Sequence, residues 1–167
     1  MKTTAALFVL IAMVLMGAAT ASAQNKRTNT LNDLHTYLNH QSGHRAELRQ
    51  DRISLRDAAT GEELCTVMQP SLNNMTLSGE ITQLNNPSAR MLARVMQNLN
   101  YYNFNALVGT LVYDASTGRI RMEHYLNPQV LSTESIANVV NLFETSIRTE
   151  SQRFSKLSSE NLGVYMR

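Results

Sequence analysis

Residues 86 to 157 carry start and stop signals at each junction of a helix, a hairpin and a second helix, and this unit confines the chain to folds that set antiparallel strands beside helices. Asn86-Pro87 opens the first helix, because asparagine caps well and proline at the first helical position loses no needed hydrogen bond. The helix runs to about Tyr102. Met91, Leu92, Val95, Met96, Leu99 and Tyr102 occupy an arc of roughly 140°, opposite Arg90, Arg94 and Gln97, which is wide enough to touch more than one neighbour. Two strands, Leu107 to Tyr113 and Arg119 to Leu126, flank the loop Asp114-Ala115-Ser116-Thr117-Gly118. Ile120, Met122, His124 and Leu126 share one face of the second strand, and Asn127-Pro128 ends it. Ser132 caps the last helix, and Leu131 is spaced to pack on Ile136 as a hydrophobic staple. Ile136, Val139, Val140, Phe143, Ile147 and Phe154 then form a stripe of roughly 100°, the width of a helix lying on a sheet.

The N-terminal half adds a helix and more strands. Thr30 caps a helix with Asp33 at the third helical position, Leu31, Leu34 and Leu38 form its apolar stripe, and Gly43 ends it. Ala46 and Leu48, then Ile53 and Leu55, alternate with charged residues, and the parity flips across Gln50 and Asp51, which requires a turn or bulge. Asp57-Ala58-Ala59-Thr60-Gly61 is a hairpin loop that matches the second loop at four of five positions. Glu62 to Met68 returns as a strand that Pro70 stops. From Ser71 to Asn85 the composition is polar, and only Met75, Leu77 and Ile81 mark an irregular strand. The sum is an α+β fold of order α-β-β-β-α-β-β-α, an antiparallel sheet of about five strands packed against helices.

The first 23 residues read as a secretory signal peptide. Lys2 supplies the positive start, Ala5 to Met16 the apolar run, and Ala21-Ser22-Ala23 the cleavage signal ahead of Gln24. The run of roughly 12 residues reaches about 18 Å as a helix, short of the roughly 30 Å of a hydrocarbon core. With no cysteine following the signal, a lipoprotein anchor is not expected. The chain is therefore expected to be bacterial and exported, to the periplasm or the medium, with residues 24–157 as one domain and 158–167 as a mobile tail. Lys2 is the only charged residue of the signal, so the mature chain holds 14 basic against 13 acidic residues, too even a balance to call for nucleic acid or an anionic membrane surface. Cys65 is the sole cysteine, so packing rather than a disulfide must hold the fold.

From Leu99 to about Leu157 the chain resembles the YbjN-like family of the type III secretion chaperone-like fold. The residues that carry the resemblance are Leu99-Asn100, Asn103-Phe104, Asp114 and Gly118 in the hairpin, and Ile120, Glu123 and Leu126-Asn127 on the second strand. Leu131, Glu134, Ile136 and Phe143 continue it into the last helix. The resemblance implies a small noncatalytic α+β domain, often dimeric, whose relatives act as secretion chaperones or regulators by holding another polypeptide.

The residues themselves offer no catalytic constellation. There is no strained G-x-S-x-G turn and no phosphate-cradling glycine loop. His40 and His44 are four apart, but Gly43 intervenes and no further ligand stands at metal spacing, so no metal site and no cofactor are expected. His35 reads as an exposed helix residue and His124 as a hydrogen-bonded core histidine. Arg45, Arg49, Arg52 and Arg56 line the outer face of the first hairpin with Glu47, Asp51 and Asp57 interleaved, a solvated ion-paired face without aromatic stacking. The excess width of the helical stripe selects Met91, Val95, Met96 and Tyr102 as the partner or dimer interface. The expected function is a noncatalytic exported adaptor or chaperone-like domain that binds a peptide or protein, as a homodimer, with no nucleic acid and no membrane after signal removal. The alternative is a binding module for an apolar small molecule or lipid in a pocket lined by Met, Leu and Val.

Overall fold

The computed structural model describes residues 30–41 and 44–160. The expected signal peptide over 1–23, the leader over 24–29, the helix stop at Gly43 and residues 161–167 of the expected tail over 158–167 lie outside the described residues. The elements in chain order are α1 (Leu31–His40), β1 (His44–Arg49), β2 (Arg52–Asp57), β3 (Glu63–Ser71) and β4 (Asn74–Gln83). There follow α2 (Ala89–Asn105), β5 (Thr110–Asp114), β6 (Arg119–Leu126) and α3 (Thr133–Glu160). The strands form one antiparallel sheet in the order β1-β2-β3-β4-β6-β5. The class is the expected α+β, with six strands rather than about five.

The additional strand is β4, a central one. Its period-two pattern of Met75, Leu77 and Ile81 is intact, but the core-facing place between the last two is Gly79, which made the segment read as polar. The glycine is required by packing. A Cβ there would overlap Ile147 Cδ1 of α3 and stand 2.8 Å from the Leu64 carbonyl oxygen, so its absence lets α3 settle onto the middle of the sheet. A bulge at Ile81 shifts the register with β6.

The N-terminal elements form for the reasons their residues state. Thr30 and Asp33 close a reciprocal capping box at the start of α1, and Leu34 and Leu38 are fully buried, each contributing about 1.5–3 kcal/mol relative to exposure. Gln50 and Asp51 make the β1–β2 turn, which restores the parity of Ile53 and Leu55. Asp57 and Asp114 each accept backbone N–H bonds inside their loops, while Gly61 and Gly118 both take a positive φ and donate to the Asp carbonyl at 2.8 Å. Pro70 falls where β3 loses its pairing with β4, between Met68 and Ser71, as a residue without an N–H should.

Several boundaries differ from the sequence reading: β3 runs through Pro70 to Ser71 instead of stopping at the proline, and β5 begins at Thr110 rather than Leu107. Ser88, not Asn86, caps α2, accepting from the Met91 N–H at 3.2 Å; Asn86 instead takes a left-handed φ of 49° in the preceding turn, a conformation asparagine tolerates. The helix also continues three residues past Tyr102, to Asn105. Ser132 caps α3 as expected, and that helix runs to Glu160, so residues 158–160, expected in the mobile tail, are helical.

One core joins all three helices to one face of the sheet. Ile53, Leu55, Val67, Met75, Leu77, Ile120 and Met122 meet Leu34 and Leu38 of α1, Val95 and Leu99 of α2, and Ile136, Val140, Phe143 and Ile147 of α3. The opposite parity, Glu47, Ser54, Thr66, Ser78 and Glu123, forms a row across the outer face.

Candidate protein-binding surface

The side chains with intrinsic chemistry have structural employment. Helix α1 ends at His40 and His44 opens β1, so the pair does not share a helical turn; among the described residues no group of three His, Cys, Asp or Glu could hold a metal ion. His124 Nδ1 accepts the Gly109 N–H at 3.2 Å, and burial lowers its pKa from the usual imidazole range. Cys65 is buried, and desolvation, with the Glu144 and Glu63 carboxylates nearby, pushes its thiol well up from the ordinary range, away from reactive thiolate. The arginine face is ion-paired: Arg56 Nε lies 3.3 Å from Glu47, Arg45 Nε 3.7 Å from the same residue, and Arg52 Nε 3.1 Å from Asp51. Such exposed pairs contribute about 0–1 kcal/mol and mark no site by themselves.

His35 departs from its expected exposure. It is half-buried, with Nε2 3.2 Å from the carbonyl oxygen of Ala46 and 2.8 Å from Asn39 Nδ2, while Asn39 Oδ1 accepts the Ala46 N–H at 3.2 Å. Side chains of α1 thus occupy both main-chain groups of one residue on the edge strand β1. The same device closes the opposite edge. Asn103, at the end of α2, accepts the Leu111 N–H at 2.7 Å and donates to the Leu111 carbonyl at 3.0 Å, so a carboxamide takes the place a neighbouring strand would hold along β5. Free strand edges invite association, and these plugs blunt both of them.

Helix α2 is the least embedded element. Of its 17 residues only Val95 and Leu99 are buried. The four residues expected at an interface therefore divide. Val95 is 3% exposed and belongs to the chain's own core, so the assignment of that residue to a partner is corrected. Met91 and Tyr102 are partly buried against the same core, and the Tyr102 hydroxyl donates to the Val108 carbonyl at 2.8 Å. Met96 alone is exposed. Also exposed, outside those four, are Tyr101 and, not singled out by sequence as a binding surface, Phe104 at 90% exposure and Leu107, fully exposed just beyond the helix. Arg153 of α3 lies over the Tyr101 ring at 5.7 Å and donates to Asn98 at 2.8 Å, pinning the middle of α2. Within 95–113, the stretch that holds this apolar row, no residue is charged.

A cleft of about 520 Å³ opens between β3 and β4 below Thr66 and Ser78, and its walls include Glu62, Glu63, Glu80 and Thr82. Carboxylates and hydroxyls make it a wet cleft, not a seat for lipid.

No family model matches this chain, and no curated protein matches it. Solved structures do. The crystal structure of YbjN from E. coli superposes with a TM-score of 0.58 at 14% identity, over 77% of this chain and 93% of that one. A chain of the HopA1–SchA chaperone–effector complex matches with a TM-score of 0.50 at 15% identity, over 73% of this chain and 90% of that one. A chain of the ExoU–SpcU complex from the type III secretion system of Pseudomonas aeruginosa aligns at a TM-score of 0.45 and 6% identity, over 74% of this chain and 96% of that one. The likeness to the first two establishes the fold: this chain has the YbjN-like, type III secretion chaperone-like architecture.

Proposed function

We propose that the chain is a noncatalytic exported adaptor or chaperone-like domain that pairs as a homodimer through the free side of α2 and holds a peptide or protein partner. The observation that carries this reading is the set Met96, Tyr101, Phe104 and Leu107, exposed within the uncharged run 95–113 at the C-terminal part of a helix that buries only two residues. Charge depletion with exposed aromatic and Met side chains is the composition of interface cores. The fold is shared with a chain of a chaperone–effector complex, which supports a polypeptide as the partner. The signal-like first 23 residues support export to the periplasm or the medium. The carboxylate-lined cleft between β3 and β4 gives the lipid-binding alternative no support.

Light scattering of the purified mature chain at micromolar concentration tests the reading. The wild type is expected at twice the chain mass and Phe104→Asp at the single mass with an unchanged far-ultraviolet spectrum, since a side chain this exposed adds nothing to the monomer core. A wild type that stays monomeric throughout overturns the dimer.

A further inference from the structure

The register places four connections at one end of the sheet. Ser71 pairs with Asn74, Met75 with Leu126, Thr110 with Glu123 and Arg49 with Arg52, so the β3–β4 turn, the β6–α3 loop, the start of β5 and the β1–β2 turn all lie there. Three of these connections are free of charge. No Asp, Glu, Lys or Arg occurs in 69–79, in 95–113 or in 124–133; the charges nearest these windows at this end are Glu123 on β6, whose carboxylate lies 3.9 Å from Arg121 Nη2, Glu134 in the first turn of α3, and those of the β1–β2 turn on the far edge. His124, the one titratable imidazole in these windows, faces the core and is held toward its neutral form.

The loop tips at this end carry large apolar side chains in water. Leu72 at the β3–β4 turn is 64% exposed, Val130 in the β6–α3 loop 73%, and Tyr125 stands on the outer face of β6 with its hydroxyl donating to Glu123. Thr76 and Met68 continue outward from Tyr125 in register, so the apolar tips run onto the open face of the sheet. Solitary exposed apolar residues need no explanation, but Leu72 and Val130 on neighbouring connections, with Tyr125 on β6, form a patch whose adjacent carboxylate, Glu123, is already engaged by Tyr125 and Arg121.

We infer that this charge-poor end of the sheet is where the client polypeptide docks, and that the docked client segment is itself uncharged and rich in aliphatic and aromatic residues. The inference rests on the proposed function and gives its partner a chemistry. Charge complementarity decides the class: a charged client segment laid here would lose its hydration and meet no unengaged opposite charge, since Glu123 is already held by Arg121 and Tyr125, whereas an uncharged one loses far less. A second copy of the chain is already assigned to the free side of α2, and a further self-complementary patch would extend a closed dimer into an open polymer. A lipid surface is disfavoured by composition, because interfacial segments mix their apolar residues with Lys and Arg, which the three windows lack.

Fluorescence anisotropy with two labelled dodecapeptides tests the placement and the chemistry together. One alternates Leu, Tyr and Val with Ser and Asn; the other keeps the apolar residues and carries Asp and Lys in place of Ser and Asn. The wild type is expected to bind the neutral peptide at least about tenfold more tightly, and Leu72→Asp with Val130→Asp to lose about tenfold or more of that affinity while keeping the dimer mass. Equal binding of both peptides, binding of neither, or full affinity in the double variant overturns the inference. So does halving of its mass, which would make the patch a self-contact, or loss of phosphatidylcholine-vesicle binding in the variant where the wild type binds vesicles but no peptide. The functional reading fails separately, when the wild type is a monomer. Peptide affinity that falls in Phe104→Asp but not in the double variant overturns the placement alone.

Discussion

Asn103 should be worth more to this fold than its position near the surface suggests. Its carboxamide makes two hydrogen bonds, 2.7 Å from the Leu111 N–H and 3.0 Å to the Leu111 carbonyl, and each contributes about 0.5–1.5 kcal/mol net. Water can reach the edge once the side chain is gone, so the lower half of the sum applies, and Asn103→Ala is expected to cost about 1–2 kcal/mol by urea denaturation. At the size of this domain that is about 3–8 °C in Tm. Asn103→Asp separates plugging from mere polarity. It keeps the acceptor for the Leu111 N–H but loses the donor and sets a carboxylate oxygen against the Leu111 carbonyl, so at neutral pH it should destabilise at least as much as alanine. Its deficit should shrink as acid protonates the introduced carboxyl, which can then donate. Hydrogen exchange gives a local readout, because the Leu111 amide should lose protection in Asn103→Ala while Val67, in the middle of the sheet, does not. An aspartate variant as stable as wild type at pH 7, or unchanged exchange at Leu111, would refute the plug.

The twin loops make two further predictions. Gly61 and Gly118 share nearly the same φ, +74° and +70°, so alanine at either pays about 1–2 kcal/mol for the left-handed backbone. A Cβ at Gly61 meets open space whereas one at Gly118 overlaps the Leu84 carbonyl oxygen, so Gly118→Ala should be the more destabilising in thermal melts, and equal losses would count against the close approach. Asp57 is held down to about 2 by the Thr60 N–H, the Arg148 guanidinium and the Ala59 N–H, and Asp114 to about 2 by the Ser116 and Thr117 hydroxyls and the Ser116 N–H. A folded-state pKa below the unfolded value gives stability that is complete above about pH 4 and is lost as pH falls through about 2. Asp57→Asn combined with Asp114→Asn should therefore flatten the acid limb of denaturation between those values, and an unchanged limb would show that the loops do not set it.

Local chemistry was legible where one residue type has one use. Thr30 with Asp33, Ser132 ahead of α3, and the two Asp-to-Gly loops announced their roles through hydrogen bonds made within a few residues. The alternation of β6 was equally plain. What sequence reading missed depends on contacts distant along the chain. Gly79 hid β4, because the reason for a glycine there is Ile147 on another element. The helical arc of α2 was read as one wide stripe, but which part of it stays free depends on where the sheet and α3 stop covering it. Val95 went to the core, and the free row continued to Phe104 and Leu107, past the point where Asn103 and Asn105 lower helix propensity. An uncharged run from 95 to 113 was the available signal. The edge plugs had none, since Asn39, His35 and Asn103 look like ordinary surface polar residues until a strand is beside them.

The strand order has a consequence for synthesis. β1 to β4 follow one another as a meander, but the other flank of β4 is occupied by β6, which is made after α2 and β5. Until the ribosome has passed Leu126, ten residues in what will be the middle of the sheet carry main-chain donors and acceptors with no neighbour on that flank. No fragment ending before Arg119 can complete this architecture, and the last stitch comes from the final third of the polypeptide. On the export proposed above, that delay would keep the nascent N-terminal portion from locking before it is threaded through a translocon in extended form.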